Sequence, residues 1–316
     1  MNQNHRRQRW SIDIKADPTS AVELNTYRCK LTLHPQPLAF AIMFGYCAFD
    51  TPPPHVPSHV VHVSTILLVL GGSCYIVSHF LRIRASARTK SYDWPLLAMV
   101  LNTGGEITSG FLVPAWYERA GTLTWGLLSL YGIQKMFVAG RKREWGHAPL
   151  VERNLWTVFG ALYTIWSVGV YLFSKWFLEN EFGAGRVGRT GPHEADWVEL
   201  AWWTALTIQA GALSSQLTML FVRGSTRGTP RAIWVWHGIG TLFGLYGSYG
   251  WRAYWWPEAH GYVTSLPSLW LLSIAIGCDY VAYPLLWNYI VAKEKAEEIA
   301  GNTQHYEESG EKRLST

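Results

Sequence analysis

Two acidic side chains, Glu106 in "LNTGGEITSG" and Asp279 in "IGCDYVAYP", stand inside stretches that are otherwise apolar and long enough to cross a membrane. An acid at the centre of a membrane helix costs about 2.5–3.5 kcal/mol on insertion scales, so each should face the interior of a helix bundle and find partners there. A carboxyl group kept from water can store a proton and deliver it where no water competes. If the two share a pocket, they titrate as a coupled pair. Asn102 lies one helical turn before Glu106, and Tyr283 one turn after Asp279, which offers each acid a hydrogen-bond partner at helical spacing. Pro284 cannot donate to the carbonyl of Tyr280, so a free acceptor and a kink are expected beside Asp279. The competing reading is structural, with each acid bonded across helices to a polar residue such as Gln209, Gln216 or His237.

The rest of the chain must position these groups. Of 316 residues, 16% are charged and 15% aromatic, with 18 tryptophans; soluble proteins carry roughly 25% charged residues. The mean hydropathy of +0.03 averages polar tails with far more apolar segments. Those segments predict an all-α membrane protein, a bundle of seven transmembrane helices near Val60 to Leu81, Pro95 to Ala115, Gly121 to Ala139, Leu155 to Ser174, Leu200 to Val222, Ala232 to Trp251 and Leu266 to Val291. The helical domain then covers residues 59–292. Before it, residues 1–58 read as a polar tail with a short interfacial apolar segment, Pro37 to Phe49. After it, residues 293–316 read as a charged helix extension that frays into disorder.

Basic residues cluster after the first, third and fifth segments (Arg82, Arg84, Arg88 and Lys90; Arg141, Lys142, Arg143 and Arg153; Arg223, Arg227 and Arg231). This bias places those loops and the C-terminus on the cytoplasmic side. The net charge of +5 is therefore a topology signal rather than a nucleic-acid footprint. Lys135 and Arg252, near span ends, should snorkel, and the aromatic run "WRAYWWPE" should sit at a membrane interface. Gly240, Gly244 and Gly247, with Gly104 and Gly105, allow close helix packing. Cys29, Cys47, Cys74 and Cys278 have neither disulfide nor zinc spacing, His59 and His62 lack further ligands for a metal, and no phosphate-binding loop is present. No metal and no cofactor are expected.

Three separated stretches, "REWGHAPLVERNLW" (Arg143 to Trp156), "RGSTRG" (Arg223 to Gly228) and "YWWPE" (Tyr254 to Glu258), together resemble the fungal integral membrane terpene cyclases. The likeness is strongest to the indole diterpene and meroterpenoid cyclases of the paxilline type, and it runs from the first to the seventh span. Asn102 and Glu106, then Asp279 and Tyr280, match the family's two membrane motifs. The resemblance implies that Glu106 and Asp279 are the catalytic acids and that Asn102, Tyr280 and Tyr283 line the substrate site. It implies a protonation-initiated cyclase of the isomerase or lyase class, working without metal. The reaction would open the epoxide of a geranylgeranyl or farnesyl chain borne on an indole or a pyrone or polyketide, then cyclise the cation. The implied partners are that hydrophobic epoxidised substrate, the lipid bilayer, and the epoxidase and prenyltransferase of the same pathway; the implied location is the endoplasmic reticulum or another endomembrane. Where the family usually carries Trp before the Glu, this chain has Gly105, which implies a differently shaped cavity for a larger or differently folded substrate. The basic loops are expected to pair with one another through Glu152 and Arg153, or to dock a polar head group or anionic lipid. A proton-coupled seven-helix transporter is the alternative function, although no internal repeat supports it. A seven-helix receptor rests on helix count alone.

Overall fold

A computed structural model of the chain describes residues 52–113, 116–184, 186 and 196–314, with side chains described as far as residue 300. Helix α1 covers His59–Thr89, α2 Leu96–Leu112, α3 Trp116–Trp145, the short α4 Pro149–Arg153, α5 Leu155–Glu179 and α6 Trp197–Arg223. Helix α7, Arg231–Thr241, continues through a π-helical stretch, Leu242–Gly247, into α8, Ser248–Trp255. After the short α9, Pro257–His260, and a 3-10 turn, Gly261–Thr264, helix α10 spans Leu266–Ile276. A second π-helical stretch, Gly277–Ala282, then leads into α11, Tyr283–Leu314. No strand occurs among the described residues.

Four helical runs are long and apolar enough to cross a membrane by length and composition: α1, α5, α6 and the continuous α10–α11 run, Leu266–Ala300. They carry large apolar side chains on their outer faces, among them Ile66, Phe80, Ile165, Trp270 and Leu285. Such exposure is costly in water and favourable against acyl chains. Helices also run through the other three apolar segments, as α2, α3 and the α7–α8 rod. The expected interfacial segment Pro37 to Phe49 lies outside the described residues. At the other end, α11 runs on to Leu314, through the charged helix extension expected from residue 293.

Close approach holds α1 against the α7–α8 rod. A Cβ added at Gly71 would run into the backbone of Gly244 and the carbonyl of Gly240, so these positions leave room for nothing larger. Around α2 the packing is conventional: Ala98, Met99 and Val100 meet Ile133, Met136 and Phe137 of α3 and Phe159 of α5. Local signals fix some ends. Asp196 accepts from the backbone N–H groups of Val198 and Glu199 at the start of α6, and Gly224, at φ 57°, closes it in the left-handed conformation.

The loops after α1, after α3 and after α6 meet at one end of the bundle. Arg223 donates to Glu144 Oε2 at 2.8 Å and to the carbonyl of Tyr92 at 2.7 Å, while Ser91 donates to Glu144 Oε1. Arg143 reaches the carbonyl of Thr89 at 2.8 Å, and Trp145 donates to the Tyr92 hydroxyl at 2.6 Å. Glu294 of α11 accepts from the Ser225 and Thr226 hydroxyls and the Thr226 N–H. The loop-to-loop ion pair therefore runs through Glu144 and not through Glu152 or Arg153, because α4 turns that segment outward, without a buried residue.

Two further expectations change. Arg252 does not snorkel; it is 3% exposed and donates to the Ser64 hydroxyl at 2.6 Å. Of the aromatic side chains in the run only Tyr254 is well exposed, whereas Trp256 is buried with Val56, Val60 and Ala259.

Candidate active site

Glu106 lies two-thirds of the way along α2, on a face turned toward α3. Its Oε1 accepts from the Asn102 amide, the partner expected one turn earlier, and from the indole N–H of Trp125 on α3, both at 2.5 Å. Its Oε2 is buried, and the one donor near it is the buried Ser129 hydroxyl of α3, which stands within reach of the carboxyl without an aligned hydrogen bond. Burial of a carboxyl oxygen with no aligned donor is expensive, so its retention points to a role beyond packing.

Asp279 is built the same way on a different element. It sits in the π-helical stretch just before Pro284, whose missing N–H was expected to break the helix here. The Trp234 indole of α7 donates both to Asp279 Oδ1, at 3.1 Å, and to the Asp279 carbonyl, at 2.9 Å. Oδ2 is buried without a partner, beside the backbone of Gly238. Tyr283, the partner expected from helical spacing, makes no hydrogen bond to this carboxyl. The wider π turn rotates Tyr283 away, and it stacks on Trp234 instead, with centroids 6.3 Å apart and planes at 16°. Tyr280 donates to the Gly238 carbonyl at 2.5 Å and faces Tyr246 of the other π-helical stretch.

The two carboxyl groups share no hydrogen-bond donor. A row of aromatic rings runs between them instead. Trp125, which holds Glu106, meets Tyr75 at 6.5 Å and His79 at 5.4 Å; Tyr75 in turn meets His237, which precedes the Gly238 that borders Asp279, at 5.2 Å. The two carboxyl groups are thus linked through an aromatic wall rather than through a shared donor. The polar residues weighed as structural partners are engaged elsewhere or apart: Gln209 donates to Thr241 at 2.8 Å, which also bonds the Tyr75 hydroxyl at 2.8 Å. Neither Gln216 nor His237 bonds either acid.

With this geometry the comparisons with known proteins can be placed. The family of Pyr4-like transmembrane terpene cyclases matches residues 47–293. The chain belongs to that family. It is 31% identical to terpene cyclase ascF of Acremonium egyptiacum, over 77% of this chain and 88% of that one. Against terpene cyclase paxB of Penicillium paxilli the identity is 26%, over 82% and 98%. Against the Pyr4-family terpene cyclase mfmH of Annulohypoxylon moriforme it is 25%, over 76% and 91%. No solved structure matches.

Within this cyclase, the glycine that stands where the family usually has Trp does not open extra room. A Cβ at Gly105 would meet Ile208 of α6, and one at Gly104 would meet Trp166 of α5, whose indole donates to the Leu101 carbonyl at 2.9 Å. Ile208 already fills the space, so a larger cavity does not follow from Gly105. Trp125, Trp234, Tyr75 and His79 were not singled out by sequence reasoning. Position gave no signal for the two tryptophans: Trp125 and Trp234 fall near the starts of their apolar segments, where tryptophans usually anchor a helix. Among the described residues, no three His, Cys, Asp or Glu side chains are grouped to hold a metal.

Proposed function

We propose that this cyclase opens a terminal epoxide on a prenylated substrate by proton transfer from one of the carboxyl groups of Glu106 and Asp279, and ends the reaction by proton loss to the other. Protonation of the epoxide oxygen breaks its bond to the more substituted carbon. The resulting cation is captured by successive alkenes as C–C bonds form, and a final C–H proton departs. The substrate and product are isomers, so no oxidant, reductant or metal enters the balance. The prenyl chain is a geranylgeranyl or farnesyl unit on an indole or a pyrone or polyketide head, which requires a prenyl transfer and an epoxidation upstream.

One observation carries this reading. In each acid an indole N–H fixes one oxygen, and the other oxygen is buried with no aligned hydrogen bond, the Ser129 hydroxyl being the group nearest that of Glu106. A fixed carboxyl with one open oxygen in a dry site is suited to giving or taking a proton, since no water quenches a cation there. That each acid is held by its own indole fits separate roles, one carboxyl giving the proton and the other taking it. The rings of Tyr75 and Trp125 between them can stabilise passing positive charge by about 0.5–2 kcal/mol each. In this reading α2, α3 and the α7–α8 rod cross an endomembrane with the other helices, and the Glu144–Arg223 end faces the cytoplasm.

The test is turnover in microsomes of a host that makes no terpenoids, fed with epoxidised prenylated indoles and phenols. Wild type should give cyclised isomers of the substrate. Glu106→Gln and Asp279→Asn, which keep shape and bury no new charge, should each lower the rate by about 10²–10⁴-fold while protein levels hold. Wild-type rates in both variants would remove these residues from the chemistry.

A further inference from the structure

Arg82 belongs by sequence to the basic cluster that marks a cytoplasmic loop. The structure puts it inside the protein, 3% exposed. Its Nε donates to Asp93 Oδ2 at 3.0 Å, and its guanidinium lies 5.0 Å from the centre of the Trp94 ring. That is all it bonds: neither Nη makes a hydrogen bond among the described residues. Asp93 is 6% exposed, and its Oδ1 is buried with no partner. A structural Arg–carboxylate pair ordinarily closes as a two-pronged fork, and a buried charge left with unused donors is costly. Here the pair meets through Nε alone, and the carboxylate keeps an acceptor in reserve.

The direction in which these groups stand matters as much. Tyr75, His79 and Arg82 follow one another at helical spacing on one face of α1. The first two border the Trp125 ring that holds Glu106. Arg82 stands seven residues beyond Tyr75, about 10 Å along the helix axis. His79 also meets Trp94 at 5.2 Å, so the aromatic wall runs without a break from the acids to the guanidinium.

We propose that Arg82 and Asp93 form a receptor for the polar head of the substrate. It would take a planar ring that carries an acceptor oxygen next to a hydroxyl or N–H donor. The Arg82 Nη groups donate to the oxygen, Asp93 Oδ1 accepts from the donor, and Trp94 packs on the ring. The prenyl chain then lies along the Tyr75–His79 face with its epoxide toward the acids. This rests on the epoxide-cyclase reading for the direction of the chain, but binding of the head can be measured without any turnover.

The experiment uses the full-length protein in detergent, with two pairs of ligands. One pair is a prenylated hydroxyaryl ketone and a prenyl chain of equal length with no head, both without epoxide, for direct binding. The other pair is the corresponding epoxides, for kinetics. Arg82→Gln and Asp93→Asn should each weaken binding of the headed ligand by about 10-fold or more, with a far smaller change for the headless one. For the epoxides, the loss should appear in KM for the headed substrate and much less in kcat. Arg82→Lys keeps the charge but not the fork, so it should show the same selective loss and serves where the glutamine variant fails to fold. Equal weakening of both ligands, or none, would overturn the proposal, because a purely structural ion pair cannot tell a headed chain from a bare one. Selective binding without cyclisation by wild type would instead overturn the epoxide reading and leave the head-group receptor standing.

Discussion

The indole N–H of Trp125 on α3 donates to Oε1 of Glu106 on α2 at 2.5 Å, and the same ring meets Tyr75 and His79 of α1 edge-on. One side chain thereby fixes the acid and forms part of the wall along which the substrate would lie. Trp125→Phe keeps most of the wall and removes the donor. Loss of one hydrogen bond to a carboxyl group is worth about 1.5–3 kcal/mol, so the cyclisation rate should fall roughly 10–100-fold with little change in KM. Steady-state kinetics in microsomes checks this, and an unchanged kcat would show that Asn102 alone positions Glu106.

Trp234 plays the corresponding part for Asp279, but it also ties the Asp279 carbonyl, which the π-helical stretch leaves available. Trp234→Phe should therefore disturb both the acid and the local helix. A loss of turnover of roughly 10–100-fold or more is expected, accompanied by a drop in thermal midpoint that Trp125→Phe does not share. Parallel melting curves in detergent separate the two effects.

How much of this arrangement could be read from the chain alone follows from where the signals lie. Helix positions were legible because apolar runs of sufficient length have few other solutions. The acids were legible because a carboxyl in such a run is expensive. The Asn102 contact followed from α-helical spacing, whereas the Tyr283 contact failed because spacing arguments assume 3.6 residues per turn and the π-helical stretch at Gly277–Ala282 breaks that rule. Arg82 was misread for a related reason. A basic residue about two turns from a helix end looks the same in sequence whether it faces the headgroups or turns inward, and the inward turn of Arg82 goes with Asp93, which lies across the chain reversal after α1. The tryptophan donors were hidden by abundance, since 18 of them offer no way to choose two.

The two loop motifs that carry the resemblance meet at Glu144 and Arg223, each about 15% exposed by side chain (15% and 14%). Glu144 also holds Ser91, so one carboxylate joins the ends of α1, α3 and α6. Glu144→Ala removes the carboxylate partner of Arg223, leaving it the Tyr92 and Arg227 carbonyls, and should cost roughly 1–3 kcal/mol of stability, with the catalytic geometry intact in the protein that remains folded. The expected result is a lower thermal midpoint with near-normal specific activity at low temperature. A large fall in activity at an unchanged midpoint would instead assign this end of the bundle a part in the reaction.

Gly105 sets the most specific test of the packing around Glu106. Its hypothetical Cβ falls against Ile208 Cδ1, with Trp166 beyond, so the position is closed by side chains of α5 and α6 rather than by backbone. Gly105→Trp, which restores the residue usual in the family, should therefore be destabilising by roughly 1–3 kcal/mol or more on its own, as overpacking is. Ile208→Ala vacates part of the same space. The double variant should recover folding beyond the sum of the single effects, a coupling that a melting-point cycle measures directly. If the two changes simply add, Ile208 is not what fills the place of the missing indole, and the cavity beside Glu106 must be shaped by another residue.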